Sequence, residues 1–589
     1  MKTIYKYQAE LITLFVIIFS LFFIAPRKKY KKPINGDLKG YYAYLPAIFI
    51  YNDLQYNFVE RVEEKYYPLT HFKEFRTEFK GKKVNKTFVG LSILIAPFFL
   101  LAHGLSVLFG FDLDGYSLLY QWSVIIAVWF YLWMSIRLLI RILKYFGATS
   151  KQSLLINTLL IFGTNIIYYT AFDFTVSHIY SLFLLNALIY SCIKFKETVF
   201  GKYIIITSLI FGLLVIIRPT NLLSGLLIFT VFNTKDDFKY LKQRLLSGRK
   251  LLLIAGSLCF VFIIPVLFWY LQTGYYFVYS YGEEGFNFAK PEMLNILFSY
   301  KKGWFLYNPI LIFALAGLIL SFKSKFESKL ALAFILLMVY VYSCWWIWTF
   351  GGGFGQRVFI EYSFLYAFGG LWFIRLISRF KWNKLILVPI IFLVSLNLVQ
   401  AIQTYKGILP GGKVTSEIYW DNFLSLKKKA RYYLGEDYQS EIQYSTDLES
   451  NKEWNNELAK TNKLAKSGQF SFEINNKAHY SPSKKFQFNF NEQKEYHFIL
   501  TAEVNAISKL EKAAFVIDVK NEVGEQFYKL FPVKMYVEQN NWVKMQFGTE
   551  LPKNFKGNSE VKFYVWNPKG KEHFFVDDLD IEIKSKFIQ

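Results

Sequence analysis

Twelve apolar stretches of spanning or near-spanning length fill the first 402 residues. They lie at 9–25, 87–109, 118–143, 152–171, 178–193, 203–217, 221–232, 251–271, 304–321, 329–348, 359–376 and 385–402. A helix of about 20 apolar residues matches the hydrocarbon thickness of a bilayer, so a chain with this many such runs has few ways to fold. Aromatic residues make up 20% of the chain, including 62 Phe and 42 Tyr, and charged residues only 19%. The latter falls below the roughly 25% usual for soluble chains. Soluble cores cannot hide that many rings, and lipid can. The sequence therefore predicts a polytopic α-helical membrane protein.

Charge decides which stretches cross. Residues 440–589 carry 21 Lys, no Arg and 21 Asp and Glu, so the whole net charge of +24 belongs to the first 439 residues. Basic residues beside apolar spans mark cytoplasmic loops rather than a nucleic-acid footprint, so no nucleic-acid partner is expected. Take the N-terminus as cytoplasmic and 87–109 as a non-crossing outer juxtamembrane helix. The inner loops 137–151, 194–202, 233–250, 323–329 and 375–384 then hold 20 Lys and Arg, and the matching outer loops hold 5. A crossing at 87–109 would invert every later loop and reverse that bias. The expectation is therefore eleven crossings, with 26–117 as the first outer loop and Pro97 breaking the 87–109 segment. The basic run Arg27-Lys28-Lys29-Tyr30-Lys31-Lys32 dissents from this orientation, but long loops translocate largely regardless of charge. No small-x-small cleavage site follows the first span, so it reads as a retained anchor. Cys192, Cys259 and Cys344 are too few and too scattered for a disulfide framework or a zinc site.

After residue 402 the pattern changes. Residues 403–439 form a mixed polar and aromatic connector. Beyond it, alternation sets in at Phe470, Phe472 and Ile474, at Phe486, Phe488 and Phe490, at Phe515, Ile517 and Val519, at Val561, Phe563 and Val565, and at Leu579, Ile581 and Ile583. Period-two runs separated by turn residues predict a β-sandwich over 440–589. An odd number of crossings places it outside the membrane. Its stretches Val561–Asn567 and Phe575–Ile581 resemble jelly-roll carbohydrate-binding modules. Trp542, Tyr564 and Trp566 are candidate sugar-stacking rings there, although alternation predicts that some of them point into the core.

The spans hold few internal charges, which weighs against an ion-coupled transporter with midplane carboxylates. Unusual polar sequence gathers at the ends assigned to the outer face. These segments are Gly36–Pro46, Asp173–His178, Arg218–Asn221, Tyr281–Phe286, Tyr300–Trp304 and Trp345–Arg357. Trp345, Trp346 and Trp348 read as an interfacial belt or as sugar-stacking rings.

An Asp early in the first outer loop, a juxtamembrane helix, about eleven spans and an outer C-terminal domain resemble the GT-C glycosyltransferases. Among them, the protein mannosyltransferases and the aminoarabinose transferase are similar in this arrangement over residues 1–402. Lys86-Thr87-Phe88-Val89-Gly90 resembles the Lys-Pro-x-x-Gly segment of the aminoarabinose transferase, with Thr87 in place of Pro. The family's second acidic site, an Asp-Pro, is here Ser177-His178.

The resemblance implies a polyprenyl-phosphate sugar donor and a glycan, lipid or protein acceptor at the outer face of a bacterial inner membrane. Asp37 becomes the base that takes the acceptor's proton, against the alternative of a loop or capping Asp. Arg218, Arg357 and Lys86 become phosphate contacts, against snorkelling interfacial bases. Tyr41, Tyr44, Glu283 and Glu284 are candidate sugar contacts, with a solvated acidic loop as the alternative for the two glutamates. The glycine-rich loop Gly351–Gly355 would let backbone amides approach a phosphate, or simply turn the chain. His178, with Asp173, is a candidate ligand set for a divalent cation, against a structural histidine. Two other functions fit the same sequence: a transporter or flippase for lipid-linked saccharides, and a non-catalytic membrane-anchored glycan-binding protein.

The topology is directly testable. Reporter fusions after residues 112, 146, 240 and 420 should read outside, inside, inside and outside. An inside signal at 112 would make 87–109 a crossing helix.

Overall fold

A computed structural model describes residues 2–66, 75–198, 201–245, 248–282, 284–379, 383–427, 438–446, 459–478, 480–481, 483–533, 539–552, 555–568, 570 and 572–587. It divides into two compact units, Met1–Tyr419 and Trp420–Gln589. The first is helical. Among the described residues, seven helices are long and apolar enough to cross a membrane: Gly90–Phe109, Leu118–Tyr145, His178–Thr198, Gly248–Thr273, Phe326–Ser343, Arg357–Ile377 and Leu387–Lys406. Shorter apolar helices occupy Gln8–Ile24, Lys202–Ile217, Pro219–Thr230 and Leu311–Ser321.

One local expectation is overturned. Pro97 does not break the 87–109 segment; it sits inside a continuous helix over Gly90–Phe109. Proline removes one backbone donor, a loss that an apolar helix absorbs where neighbouring helices hold it in place. Here Tyr131 Oη on Leu118–Tyr145 donates to Leu94 O at 2.8 Å. His103 Nδ1 lies 2.6 Å from Tyr120 Oη of that same helix.

Two predicted spans are each split in two. The stretch at 152–171 becomes Ser150–Gly163 and Ile166–Ala171. A capping box opens the first of these, with Gln152 N donating to Thr149 Oγ1 and Thr149 N to Gln152 Oε1. The stretch at 304–321 becomes Trp304–Tyr307 and Leu311–Ser321. The two breaks meet, since Asn165 N donates to Asn308 Oδ1 at 2.6 Å. Asn165 Nδ2 donates to Gln356 O at 3.1 Å, which anchors the residue before Arg357.

Elsewhere the helices pack by close approach. A side chain at Gly317 would lie 1.9 Å from Gly369 O, so Leu311–Ser321 and Ser363–Ile377 touch backbone to backbone. The unit runs past the apolar stretches to Tyr419: Tyr405 Oη donates to Phe23 O, and Gln400 Nε2 to Tyr419 Oη.

The first loop carries the helices Leu38–Phe49 and Phe58–Tyr66 and a hairpin of β1 (Arg76–Phe79) and β2 (Lys82–Asn85). The second unit is built of β3 (Gln439–Thr446), β4 (Lys460–Thr461), β5 (Ser471–Ile474), β6 (Lys484–Phe490), β7 (Lys494–Ala506), β8 (Ala514–Asn521), β9 (Gln526–Pro532), β10 (Trp542–Glu550), β11 (Gly557–Trp566) and β12 (Phe574–Phe587). One antiparallel sheet runs β10-β7-β12-β5-β4, with β3 also on β12, and a second runs β6-β11-β8-β9. Their inner faces share one core, in which Phe498 and Phe563 meet at 5.9 Å and Phe515 and Phe547 at 5.5 Å. The alternating residues Phe472, Ile474, Phe490, Phe515, Ile517, Val519, Val561, Phe563, Val565, Leu579, Ile581 and Ile583 all lie in it. Phe486 and Phe488 pack against its edge, and Phe470 is not part of it.

Asp577 and Asp578 form a bulge in β12. The buried Asp577 Oδ2 accepts from Lys466 N and Ser467 N. Tyr564 and Trp566 face out of the second sheet, with Tyr480 and Tyr528 beside Tyr564.

Phe563→Ala should cost about 3–5 kcal/mol, as for large-to-small core changes. Hydrogen exchange on the full chain should then show lost amide protection along Ala514–Asn521. Unchanged protection would place Phe563 outside a shared core.

Candidate functional site

Arg357 opens the turn Arg357–Tyr362, directly after the loop Phe350–Gln356. Phe350, Gly351, Gly353 and Gly355 all take positive φ there, which explains why the loop is built of glycine. A side chain at Gly411 would meet Gly353 N and O at 2.6 Å, so a second glycine turn lies against the loop. Beneath it, the fully buried Lys302 donates from Nζ to Gly352 O at 2.7 Å and Gly351 O at 3.3 Å. Burial, followed by the charge of Arg357, pushes the Lys302 pKa well below the ordinary lysine value.

From this support Arg357 reaches across 320 residues of sequence. Its Nη2 donates to Asp37 Oδ2 at 2.5 Å, and both side chains are largely enclosed. Arg357 Nε is buried and meets no acceptor among the described residues.

Asp37 and Arg357 lie on the wall between two cavities. The first, of about 410 Å³, is lined by Asp37, Tyr41, Lys86, His178, Arg218, Tyr281, Glu284, Trp345, Trp346 and Arg357, among others. The second, of about 420 Å³, is lined by Lys29, Lys32, Asp37, Tyr168, Phe172, Asp173, Gly351–Gly353, Arg357 and Tyr405, among others.

Five of the six polar segments singled out in the sequence therefore line the first cavity, and the sixth, Tyr300–Trp304, supplies the lysine beneath its loop. Within that cavity Lys86 Nζ is bound to Glu284 Oε1 at 2.5 Å. Tyr44 is not among the lining residues. Its hydroxyl donates to Thr87 O, and its ring packs on Phe268 and Tyr56. Glu283 lies outside the described residues.

Arg218 belongs to a buried network that sequence reading missed. Its Nη1 donates to His178 Nδ1 at 2.8 Å and lies 3.9 Å from Glu361 Oε1. Tyr342 Oη donates to the same Glu361 oxygen at 3.0 Å and lies 2.9 Å from Tyr362 Oη. Glu361 is 1% exposed. The missed signal was simple: it is the lone acid in the apolar stretch 359–376, and an intramembrane carboxylate is a site hypothesis by default.

His178 lines the first cavity and Asp173 the second. Asp173 Oδ1 accepts from Thr175 N and Oγ1, and His178 Nδ1 faces the Arg218 guanidinium. His178 Nδ1 also lies 3.3 Å from Glu361 Oε2. No cluster of three His, Cys, Asp or Glu side chains occurs among the described residues.

No protein-family model and no curated protein matches the chain. Three solved structures show a limited likeness. The CBM22-1 xylan-binding domain of Paenibacillus barcinonensis Xyn10C is 15% identical over 24% of this chain and 92% of its own, at a TM-score of 0.18. A family 16 carbohydrate-binding module-2 is 13% identical over 21% and 82%, at 0.15. The GH115 4-O-methyl-alpha-glucuronidase BtGH115A, with specificity for decorated arabinogalactans, is 10% identical over 62% and 44%, at 0.15.

Lys302→Ala removes the donor that holds the Gly351 and Gly352 carbonyls, a loss of about 1–3 kcal/mol. The detergent-solubilised variant should melt earlier than wild type. An unchanged Tm would mean that the glycine loop is held by other contacts.

Proposed function

We propose that this chain is an integral membrane glycosyltransferase of GT-C type. It moves a sugar from a polyprenyl-phosphate donor to a glycan, lipid or protein acceptor at the outer face of a bacterial inner membrane. The observation that carries this reading is the Asp37–Arg357 pair on a wall shared by two cavities, with Arg218 and Lys86 in the first of them. A carboxylate between two chambers suits a reaction that brings two substrates to one atom.

The donor enters the first cavity, where Trp345, Trp346 and Tyr281 offer an aromatic lining. Arg218 and Arg357 meet its phosphate, and a guanidinium fork matches phosphate oxygens better than an ammonium does. The incoming phosphate competes for Arg357 and releases Asp37 to act on the acceptor. Asp37 takes the proton of the acceptor hydroxyl or amine as that group attacks the anomeric carbon. The bond from that carbon to the phosphate oxygen breaks, its electrons leave with polyprenyl phosphate, and the configuration inverts. Positive charge on the ring and negative charge on the leaving group both grow in this step, so flanking carboxylate and guanidinium groups stabilise it. Lys86, held by Glu284, adds a third cation at the chamber wall.

Asp37→Asn keeps the size of the side chain but cannot take a proton, so turnover should fall by about 10²–10⁴. Donor binding should survive. Arg218→Ala should instead weaken donor binding, because its partner is already charged in the ground state. Product formation by purified wild type and variants with matched donor and acceptor checks both. Near wild-type turnover by Asp37→Asn would refute this mechanism.

A further inference from the structure

A third cavity, of about 250 Å³, lies among the helices His178–Thr198, Lys202–Ile217, Lys235–Leu245 and Gly248–Thr273. Phe195, Phe211, Phe232, Leu241, Ile254 and Leu258 form most of its wall. Of its described lining residues only Cys192, Thr207 and Ser208 carry a polar side-chain atom, and Thr207 Oγ1 is engaged with Ser191 Oγ at 2.9 Å. Apolar cavities of this kind stay dry and take up hydrocarbon instead of water. One wall, Gly248–Thr273, is the least enclosed of the seven apolar helices, and its Leu251 and Leu252 are exposed. The cavity therefore borders a surface that lipid chains would cover.

The charged end of that wall is basic. Lys250 precedes Ile254 and Leu258 by four and eight residues, so it shares the helix face that lines the cavity. Lys242 follows Leu241 on Lys235–Leu245 and is exposed, as are Lys239 and Arg249. The stretches 194–202 and 233–250 meet here: Lys196 Nζ lies 2.7 Å from Asp237 Oδ1, and the Phe195 and Tyr240 rings are 6.1 Å apart. Together the two stretches hold nine Lys and Arg against three acids, so pairing every acid leaves six bases over. Asp237 also caps its helix, accepting from Asn233 N and Thr234 N, and Glu197 is bound to Lys194 at 2.7 Å. Glu327 accepts from Asn233 Nδ2, but its own stretch, 323–329, carries three further bases.

We propose that this cavity and its basic rim bind one anionic phospholipid. An acyl chain fills the apolar space, and the phosphate meets Lys242 and Lys250. Basic clusters at the ends of membrane helices attract anionic head groups, and the adjoining cavity adds a place for the chain. In the topology that the charge rule predicts, the lipid belongs to the cytoplasmic leaflet. None of the residues lining this cavity lines either chamber at Asp37, and the proposal does not rest on the transferase reading.

Native mass spectrometry of the full-length protein in an uncharged detergent tests this. The probes are phosphatidylglycerol and phosphatidylcholine of equal chain length. Phosphatidylglycerol should bind more tightly by roughly tenfold or more, and Lys242→Gln with Lys250→Gln should erase that preference. Lys242→Arg with Lys250→Arg should keep it. Ser208→Phe fills the cavity and should weaken binding of both lipids. Should that variant fail to fold, dihexanoyl-phosphatidylglycerol keeps the head group with little chain to bury, and it should bind more weakly than the long-chain lipid. Equal binding of the two head groups by wild type, or an unchanged preference in the Gln variant, overturns the proposal. So does equal binding of short and long chains. Displacement of phosphatidylglycerol by an equal concentration of undecaprenyl phosphate would give the cavity to a polyprenyl tail and overturn it as well.

Discussion

The ion pair between Asp37 and Arg357 joins the first loop to the turn Arg357–Tyr362, and most of the site's architecture serves to hold it. Removing charged groups from water costs several kcal/mol per ion, so an enclosed pair persists only where its surroundings fix its geometry. Lys302 ties the glycine loop from below, the Gly411 turn closes on it, and Asn165 holds Gln356. The Arg218, His178, Glu361 and Tyr342 network does the same for the second guanidinium.

Irregular backbone marks where the site is built. Within an apolar body, unpaired backbone groups are tolerated only where they are buried in protein or line a cavity. The chain breaks at Thr164-Asn165, at Asn308-Pro309 and through Phe350–Gln356. Asn165 bonds to both of the other segments, so the three breaks form one support. Each break ends a helix short of its apolar stretch and frees a polar side chain to reach another segment. The same logic explains why Gly351, Gly353 and Gly355 line or support the second cavity: only glycine takes the positive φ that this path requires without strain.

The β unit follows a different rule. Alternation puts its apolar residues into one core shared by two sheets, and the Asp577-Asp578 pair is spent on a bulge whose carboxylate caps two backbone amides. Its outward face carries Tyr480, Tyr528 and Tyr564, the last two with hydroxyls 3.4 Å apart.

The apolar stretches, the neutral alternating C-terminal part and the polar ends of the helices were legible in the chain, because hydropathy and period are local properties that any fold must honour. Asp37, Arg218, Arg357 and His178 could be picked out for the same reason: they stand beside Gly, Pro or apolar runs, where a charge is costly without a purpose. Their partners could not be read, because Arg357 meets Asp37 from 320 residues away and Glu361 meets Arg218 from 143. Pro97 was misread because a helix-breaking residue in water is tolerated where neighbouring helices hold its turn in place. Which cation faces which cavity, why His178 and Asp173 stand apart, and what Lys302 supports follow from long-range packing alone. The sequence by itself determined what must be buried and with what period. Only the tertiary structure decided which buried charges share a wall, since pairing across hundreds of residues leaves no local trace in the chain.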